Sequence, residues 1–240
     1  MSAATTLVLL HGWGAHGGVW AAVSARLGDR IAVQAPDIDG SGSFDDAVDR
    51  LAARSPARCV VAGWSLGGQL ALSWAHRHPA QVTGLILLAA TPRFVAAPDW
   101  KHGMATAAFE EFAAMVEADA AAALRRFRLL ETRGDVCARA VIRQLDQLLA
   151  ARMTADAAVL ARMLGWLRDT DLRAVLPAII QPALVIHGDR DSVVAPAAAD
   201  FLAARLPRAR IERIAGAAHA PFVSGAERVC ALMNGFCNDS

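Results

Sequence analysis

The sequence predicts an α/β fold in which a mostly parallel sheet of about six strands is interrupted by an all-helical insertion. Short runs rich in Val, Ile and Leu recur along the chain, as strands covered on both faces require. Longer helical patterns separate them, the alternation expected of a parallel sheet. From about residue 94 to residue 172 the strand signal stops. With 240 residues the chain can build one domain with a large core, alone or carrying an insertion.

In chain order, strands are expected at residues 6–10, 30–34, 58–62, 83–89, 183–187 and 210–214. Helices are expected between and after them, at 18–27, 44–54, 66–78, 196–205 and 226–236. Ser43, followed by Asp45 and Asp46, gives the helix at 44 an acidic N-terminus, where free backbone N–H groups favour negative charge. Within the insertion, amphipathic helices are expected at 106–118, 121–132, 136–153 and 156–167, with Gly134-Asp135 as a break. Pro177 and Pro182 then return the chain to strands. The expected organisation is a core made of residues 1–93 and 173–240, with residues 94–172 as a helical lid. The alternative is an ordinary bundle packed on one sheet face.

Composition excludes several function classes. The hydrophobic fraction of 55% and mean hydropathy of +0.33 are high, but alanine supplies much of both. No uninterrupted apolar run reaches the ~18 residues of a membrane span. The N-terminus has no basic segment, and the run 7–10 is too short for a signal core, so a cytoplasmic protein is expected. A net charge of +1 argues against nucleic-acid binding through bulk charge. Cys59, Cys137, Cys230 and Cys237 have neither zinc-site nor disulfide-framework spacing and are expected to be buried free thiols. Without a heptad pattern or a large apolar stripe, a monomer is expected.

The chemistry centres on Gly63-Trp64-Ser65-Leu66-Gly67, between the run Cys59-Val60-Val61-Ala62 and a helix. A serine flanked by small residues on a strand-to-helix turn has the form of a nucleophile elbow. The turn forces strained backbone angles and lifts the hydroxyl to the start of the helix, where developing negative charge is stabilised. Such a serine needs a base, and the base needs an orienting acid. His219 follows the last strand among small residues, Gly216-Ala217-Ala218-His219-Ala220, which leave its ring room to reach Ser65. His76 and His78 instead suit a helix C-terminus, and His187 ends a strand. The acid is sought in His187-Gly188-Asp189-Arg190-Asp191. Asp191 is favoured because it lies further out, whereas Asp189 suits a local turn or an ion pair with Arg190. Backbone N–H groups of Leu66 and of Trp13, in His11-Gly12-Trp13-Gly14, are the expected oxyanion donors. Trp64 either walls an acyl pocket or packs in the core.

The strings LVLLHGWG, GWSLGG, HGDRDSVV and AAHAPF together resemble the pimeloyl-[acyl-carrier-protein] methyl ester carboxylesterases of biotin synthesis, the BioH family of the α/β-hydrolase superfamily. The HG, G-x-S-x-G and late Asp and His are common to the superfamily, while the two tryptophans and AAHAPF are narrower. The resemblance implies Ser65 as nucleophile, His219 as base and Asp191 as its orienter, with no metal or organic cofactor. It implies a substrate delivered by an acidic acyl carrier protein and received by arginines of the lid. Residues 120–168 hold nine arginines against four acids, in a chain of net charge +1. The matching positions are Arg126, with Phe127 beside it, Arg139 and Arg143; a further basic position of the family is Ala122 here. A solvated helix face in an arginine-rich chain is the plain alternative.

Two departures from the family pattern are expected to matter little for the triad. The chain begins almost directly on the HG strand, so one or two edge strands should be missing, and Asp39 stands where the superfamily usually has proline. A general short-chain carboxylesterase would share the triad. A lyase of the same fold would use the base without an acyl-enzyme, and a binding protein would keep the fold alone.

Overall fold

The computed structural model describes residues 5–28, 31–150 and 156–239. Among the described residues six strands form one sheet: β1 (Thr5–Leu10), β2 (Ile31–Gln34), β3 (Cys59–Trp64), β4 (Val82–Leu88), β5 (Ala183–Gly188) and β6 (Ala209–Ile214). Their order is β2-β1-β3-β4-β5-β6, and every pairing is parallel. The chain therefore leaves β1 toward one edge and leaves β3 toward the other. That reversal opens a crevice beyond the carboxyl ends of β1 and β3, the place where ligands bind in open α/β sheets. The register Leu10↔Gly63 sets the loop after β1 beside the turn after β3.

Alternation along the strands divides the core in two. Val8, Leu10, Val61, Leu85, Leu87 and Val185 point to one face of the sheet. There they meet α2 (Phe44–Arg54), α3 (Leu66–Arg77) and α8 (Pro196–Arg205). Leu7, Leu9, Val60, Ile86, Leu184 and Ile186 point the other way, toward α1 (Ala21–Ser24), α9 (Pro221–Ser224) and α10 (Ala226–Asn238). At the start of α2, Ser43 accepts the Asp46 N–H and Asp46 accepts the Ser43 N–H, a reciprocal cap that fixes where the helix begins.

Between β4 and β5 the described residues form four α-helices: α4 (Thr106–Ala118), α5 (Ala120–Thr132), α6 (Ala138–Leu149) and α7 (Ala157–Asp169). Phe109, Phe127, Leu160 and Leu164 join the first core face. Val141, Leu145 and Leu149 of α6 join the second. The inserted helices thus reach both faces over the carboxyl edge of the sheet.

Local differences from expectation have local causes. The stretch 18–27 forms a 3-10 turn (Gly17–Trp20) and only one turn of α-helix, because Gly17 and Gly18 resist helix and the His16 ring captures the Gly18 N–H. The helix expected at 136–153 begins later, since the Val136 N–H is bonded to Gly216 O and the Cys137 N–H to the Asp135 side chain. Residue 30 of the second expected strand and residues 151–153 of that helix lie outside the described residues. Cys137 is exposed, correcting the expectation of four buried thiols; it sits on the helix-start turn rather than in a core stripe.

Candidate active site

The turn after β3 is built by close approach. A Cβ on Gly63 would lie 2.1 Å from Gly67 O, and one on Gly67 would lie 2.4 Å from Leu10 O. Only glycine fits either position. Between them Ser65 adopts φ 55° and ψ −115°, a conformation that costs an L-residue roughly 1–3 kcal/mol. Its N–H is held by Leu88 O at 3.0 Å, so the sheet itself fixes the strained turn. Leu66 opens α3, and its N–H is among those a helix leaves without an internal acceptor.

The loop after β1 closes on this turn. A Cβ on Gly12 would stand 3.4 Å from Ser65 Cβ and 3.2 Å from the Trp64 ring. His11 fixes the loop: its Nε2 accepts the Ile38 N–H at 2.9 Å, so Nδ1 carries the proton and donates to Gly12 O at 2.8 Å. Burial pushes the His11 pKa down to about 4, which keeps the ring neutral and that pattern intact. The Trp13 indole donates to Leu160 O of α7 at 2.9 Å, and its ring stands edge-on to Phe127 and Phe112 at 5.0 and 5.3 Å. Trp13 therefore ties the loop to the inserted helices.

Asp191 and His219 meet across 28 residues. The His219 Nδ1–H donates to Asp191 Oδ2 at 2.8 Å, and both side chains are buried. Since a carboxylate can only accept, the proton sits on Nδ1 and the Nε2 of a neutral ring carries a lone pair. That Nε2 is buried and has no hydrogen-bond partner within the protein. Asp191 Oδ1 accepts the N–H groups of Val193 and Val194 at 2.9 and 3.0 Å, and the His187 ring lies 3.2 Å from Oδ2. Burial alone would raise the Asp191 pKa, but the charge of His219 and the hydrogen bonds from His187 and His219 outweigh it and hold the carboxyl well below the usual range. For His219, burial lowers the pKa, yet the Asp191 charge and hydrogen bond, with the Glu131 charge, leave it above 6.5. No hydrogen bond joins Ser65 to Nε2 in this structure. Such bonds are often long before substrate binds.

The other expected residues fall into three groups. Asp189 accepts the Gly216 N–H at 2.8 Å and so staples the two loops together, rather than pairing with Arg190. His187 donates to Val194 O at 3.0 Å, as a core histidine fixing its loop. Trp64 does not wall a pocket. It is wholly buried, its indole donates to His219 O at 2.7 Å, and its ring packs edge-on against Phe222 at 5.0 Å. A β3 side chain at that register belongs to the second core face, so Trp64 backs the histidine from beneath.

An apolar cavity of about 390 Å³ lies among the inserted helices. Trp13, Phe127, Phe112 and Leu164 line its body, and Glu111 and Arg126 are its charged lining residues. Arg126, Arg139 and Arg143 are all exposed, and among the described residues none makes a hydrogen bond or ion pair. Among the eight described arginines of residues 120–168, three are engaged. Arg128 is buried against Glu131, Arg162 donates to Gly40 O, and Arg168 pairs with Asp169. Sequence reasoning missed His11, Glu131 and Asp135 at this site. The H-G dipeptide was a usable signal for His11; the other two are brought here by tertiary packing and carry no local mark.

The chain belongs to the alpha/beta hydrolase family, whose model matches residues 7–232. With that fold and relatives named as methyl ester esterases, it is a carboxylic ester hydrolase. Within the family it groups with the pimeloyl-[acyl-carrier protein] methyl ester esterases. It is 40% identical over 239 residues to the protein so named from Stenotrophomonas maltophilia (strain K279a), covering 96% of this chain and 92% of that one. It is 39% identical to the one from Aromatoleum aromaticum (strain DSM 19018 / LMG 30748 / EbN1), covering 95% of each. Among solved structures, an esterase from Exiguobacterium antarcticum superposes with a TM-score of 0.88 at 20% identity, over 99% of this chain and 93% of the other, and shows the shared fold.

Proposed function

We propose that this chain hydrolyses the methyl ester of a pimeloyl group borne on acyl carrier protein, through an acyl-enzyme on Ser65. The observation that carries the chemistry is the buried His219–Asp191 pair, whose protonated Nδ1 leaves Nε2 free as a base, with His219 O hydrogen-bonded to Trp64, the neighbour of Ser65. Nε2 takes the Ser65 proton as Oγ attacks the ester carbonyl. The N–H groups of Trp13 and Leu66 receive the oxyanion. Collapse of the tetrahedral adduct breaks the bond to methoxide, which leaves as methanol with the proton from His219. Water then repeats the sequence on the acyl-enzyme and releases the free carboxylate. No cofactor enters either step.

The substrate assignment rests on the names of the relatives, and the insertion supports it. In this reading helices α4–α7 are a lid over residues 1–93 and 173–240. The acyl chain occupies the apolar cavity beside Trp13 and Phe127, and the exposed Arg126, Arg139 and Arg143 receive the acidic carrier. Rim charges of this kind act through salt-sensitive steering. A cytoplasmic monomer is part of the same proposal. Among the described residues no helix is long and apolar enough to cross a membrane.

The test is turnover of pimeloyl-carrier methyl ester beside a small soluble ester. Ser65→Ala is expected to lose on the order of 10³-fold or more in kcat on both substrates. The Arg139→Glu/Arg143→Glu pair is expected to lose carrier-linked kcat/KM at low salt and to keep small-ester turnover. Near-normal turnover by Ser65→Ala would refute the covalent route and leave the lyase reading standing. If the arginine pair left the carrier substrate untouched, the docking surface would be wrong while the esterase survived, and a general short-chain carboxylesterase would then fit better.

A further inference from the structure

The loop that carries His219 is held from two sides, by the sheet core through Trp64, Asp189 and Asp191 and by the insertion. That loop, Gly216-Ala217-Ala218-His219-Ala220, has almost no side chains with which to fix itself. Backbone hydrogen bonds must do so, and residues 130–136 provide three of them. The His219 N–H donates to Glu131 O at 3.0 Å, and Val136 donates its N–H to Gly216 O at 3.0 Å. Between these, the Ala218 N–H donates to Asp135 Oδ2 at 2.9 Å. The second Asp135 oxygen accepts the Cys137 N–H at 2.7 Å, so both ends of the carboxylate are engaged and buried. The same corner touches the loop of the acid, where Ser192 Oγ reaches Leu130 O and the Arg190 guanidinium reaches Gly134 O.

We propose that Asp135 is a positioning residue for the proposed base: its carboxylate grips the peptide next to His219 and so holds the ring against Asp191. This rests on the reading of Ser65 and His219 as nucleophile and base. The geometry makes Asp135 a bridge between the start of α6 and the histidine loop. Losing the bridge frees the only bond to the loop that a lid side chain makes among the described residues. The ring then loses its alignment, since its Nδ1–H must meet Asp191 Oδ2 while Nε2 stays turned toward Ser65. Substrate contacts are not involved, because Asp135 does not line the apolar cavity. The effect belongs in kcat.

The experiment uses the full chain with p-nitrophenyl acetate, with active sites counted by complete labelling with a serine-directed phosphonate. For Asp135→Ala, kcat per labelled site is expected to fall on the order of 10–100-fold, as misplacement of a reacting group by about 1 Å would cause, with KM changed less than about twofold. Asp135→Asn keeps the shape and one accepting oxygen, and its kcat is expected between the two. Should Asp135→Ala fail to fold, Asp135→Asn reads the same split. A kcat per labelled site equal to wild type, with the loss confined to melting temperature, labelled fraction or KM, would overturn the proposal and leave Asp135 a purely structural residue. Failure of the wild-type chain to label at Ser65 would instead sink the reading of the triad, and the two failures are thereby told apart.

Discussion

At the scale of single residues, the electrostatics around His219 decide how the site answers to pH. As the proposed base, His219 would work only when neutral, and the Asp191 charge, overcoming burial, keeps its pKa above 6.5. Activity should therefore fall as the pH drops, with the midpoint of the acid limb of kcat/KM above 6.5. Asp191→Asn removes the charge and the acceptor that fixes the tautomer. It is expected to move that midpoint to lower pH and to cost about 10³–10⁴-fold in kcat, read from pH–rate profiles of the two proteins. Stability follows the same groups with opposite signs. The His219 contribution is fully present below pH 6.5 and is lost as the pH rises through its raised folded value. The Asp191 contribution is present above 3.8 and is lost as acid approaches its depressed folded value. Melting temperature against pH measures both limbs. The Ser65 turn and the His219–Asp191 pair were legible in the sequence because residue type restricts them: a serine between glycines after a strand, and a histidine and an aspartate after later strands. The preference for Asp191 over Asp189 followed from distance along the loop, and the hydrogen bond to His219 gives it a physical basis.

At the scale of elements, the loop after β1 shows how one side chain joins two parts of the chain. Its backbone lies against Ser65, while the Trp13 indole is hydrogen-bonded to α7 and ringed by Phe112 of α4 and Phe127 of α5. Trp13→Ala would leave a cavity where three elements meet. It is expected to destabilise the protein by about 3–5 kcal/mol, measured by denaturant unfolding. The same variant should lower small-ester kcat, because the proposed oxyanion donor loses its anchor. Most elements could be placed from apolar runs and helix periodicity: α2, α4 and α8 begin and end where the pattern says. The exceptions are the stretch after β1 and the start of α6. There side-chain and tertiary hydrogen bonds capture backbone groups that a helix would otherwise use, and no local pattern records such partners.

At the scale of the whole molecule, burial sorts chemically identical groups. Cys59, Cys230 and Cys237 are buried and their thiols are pushed up by burial, to about 11 for Cys59 and about 12 for Cys237; Cys137 is exposed. Titration of the native protein with an aromatic disulfide reagent should therefore find one reactive thiol, and four after unfolding. Charge is sorted in the same way. The arginine excess of the insertion is visible in composition, but composition cannot separate Arg128, buried against Glu131, from the exposed Arg126, Arg139 and Arg143.

The sequence by itself determined the class of fold, the strained serine turn and the two residues, Asp191 and His219, that the fold pairs, because each depends on short-range pattern or on a restricted residue type. Glycine at 63 and 67 is required by approaches of 2.1 and 2.4 Å to backbone oxygens, and such needs are written residue by residue. Only the tertiary structure decided that Trp64 backs the histidine rather than lining a pocket. Only it brought Asp135 to Ala218 across 83 residues and built a cavity among separate helices. Those are relations between distant surfaces. They exist once the sheet has set its strand order and the inserted helices have closed over its carboxyl edge.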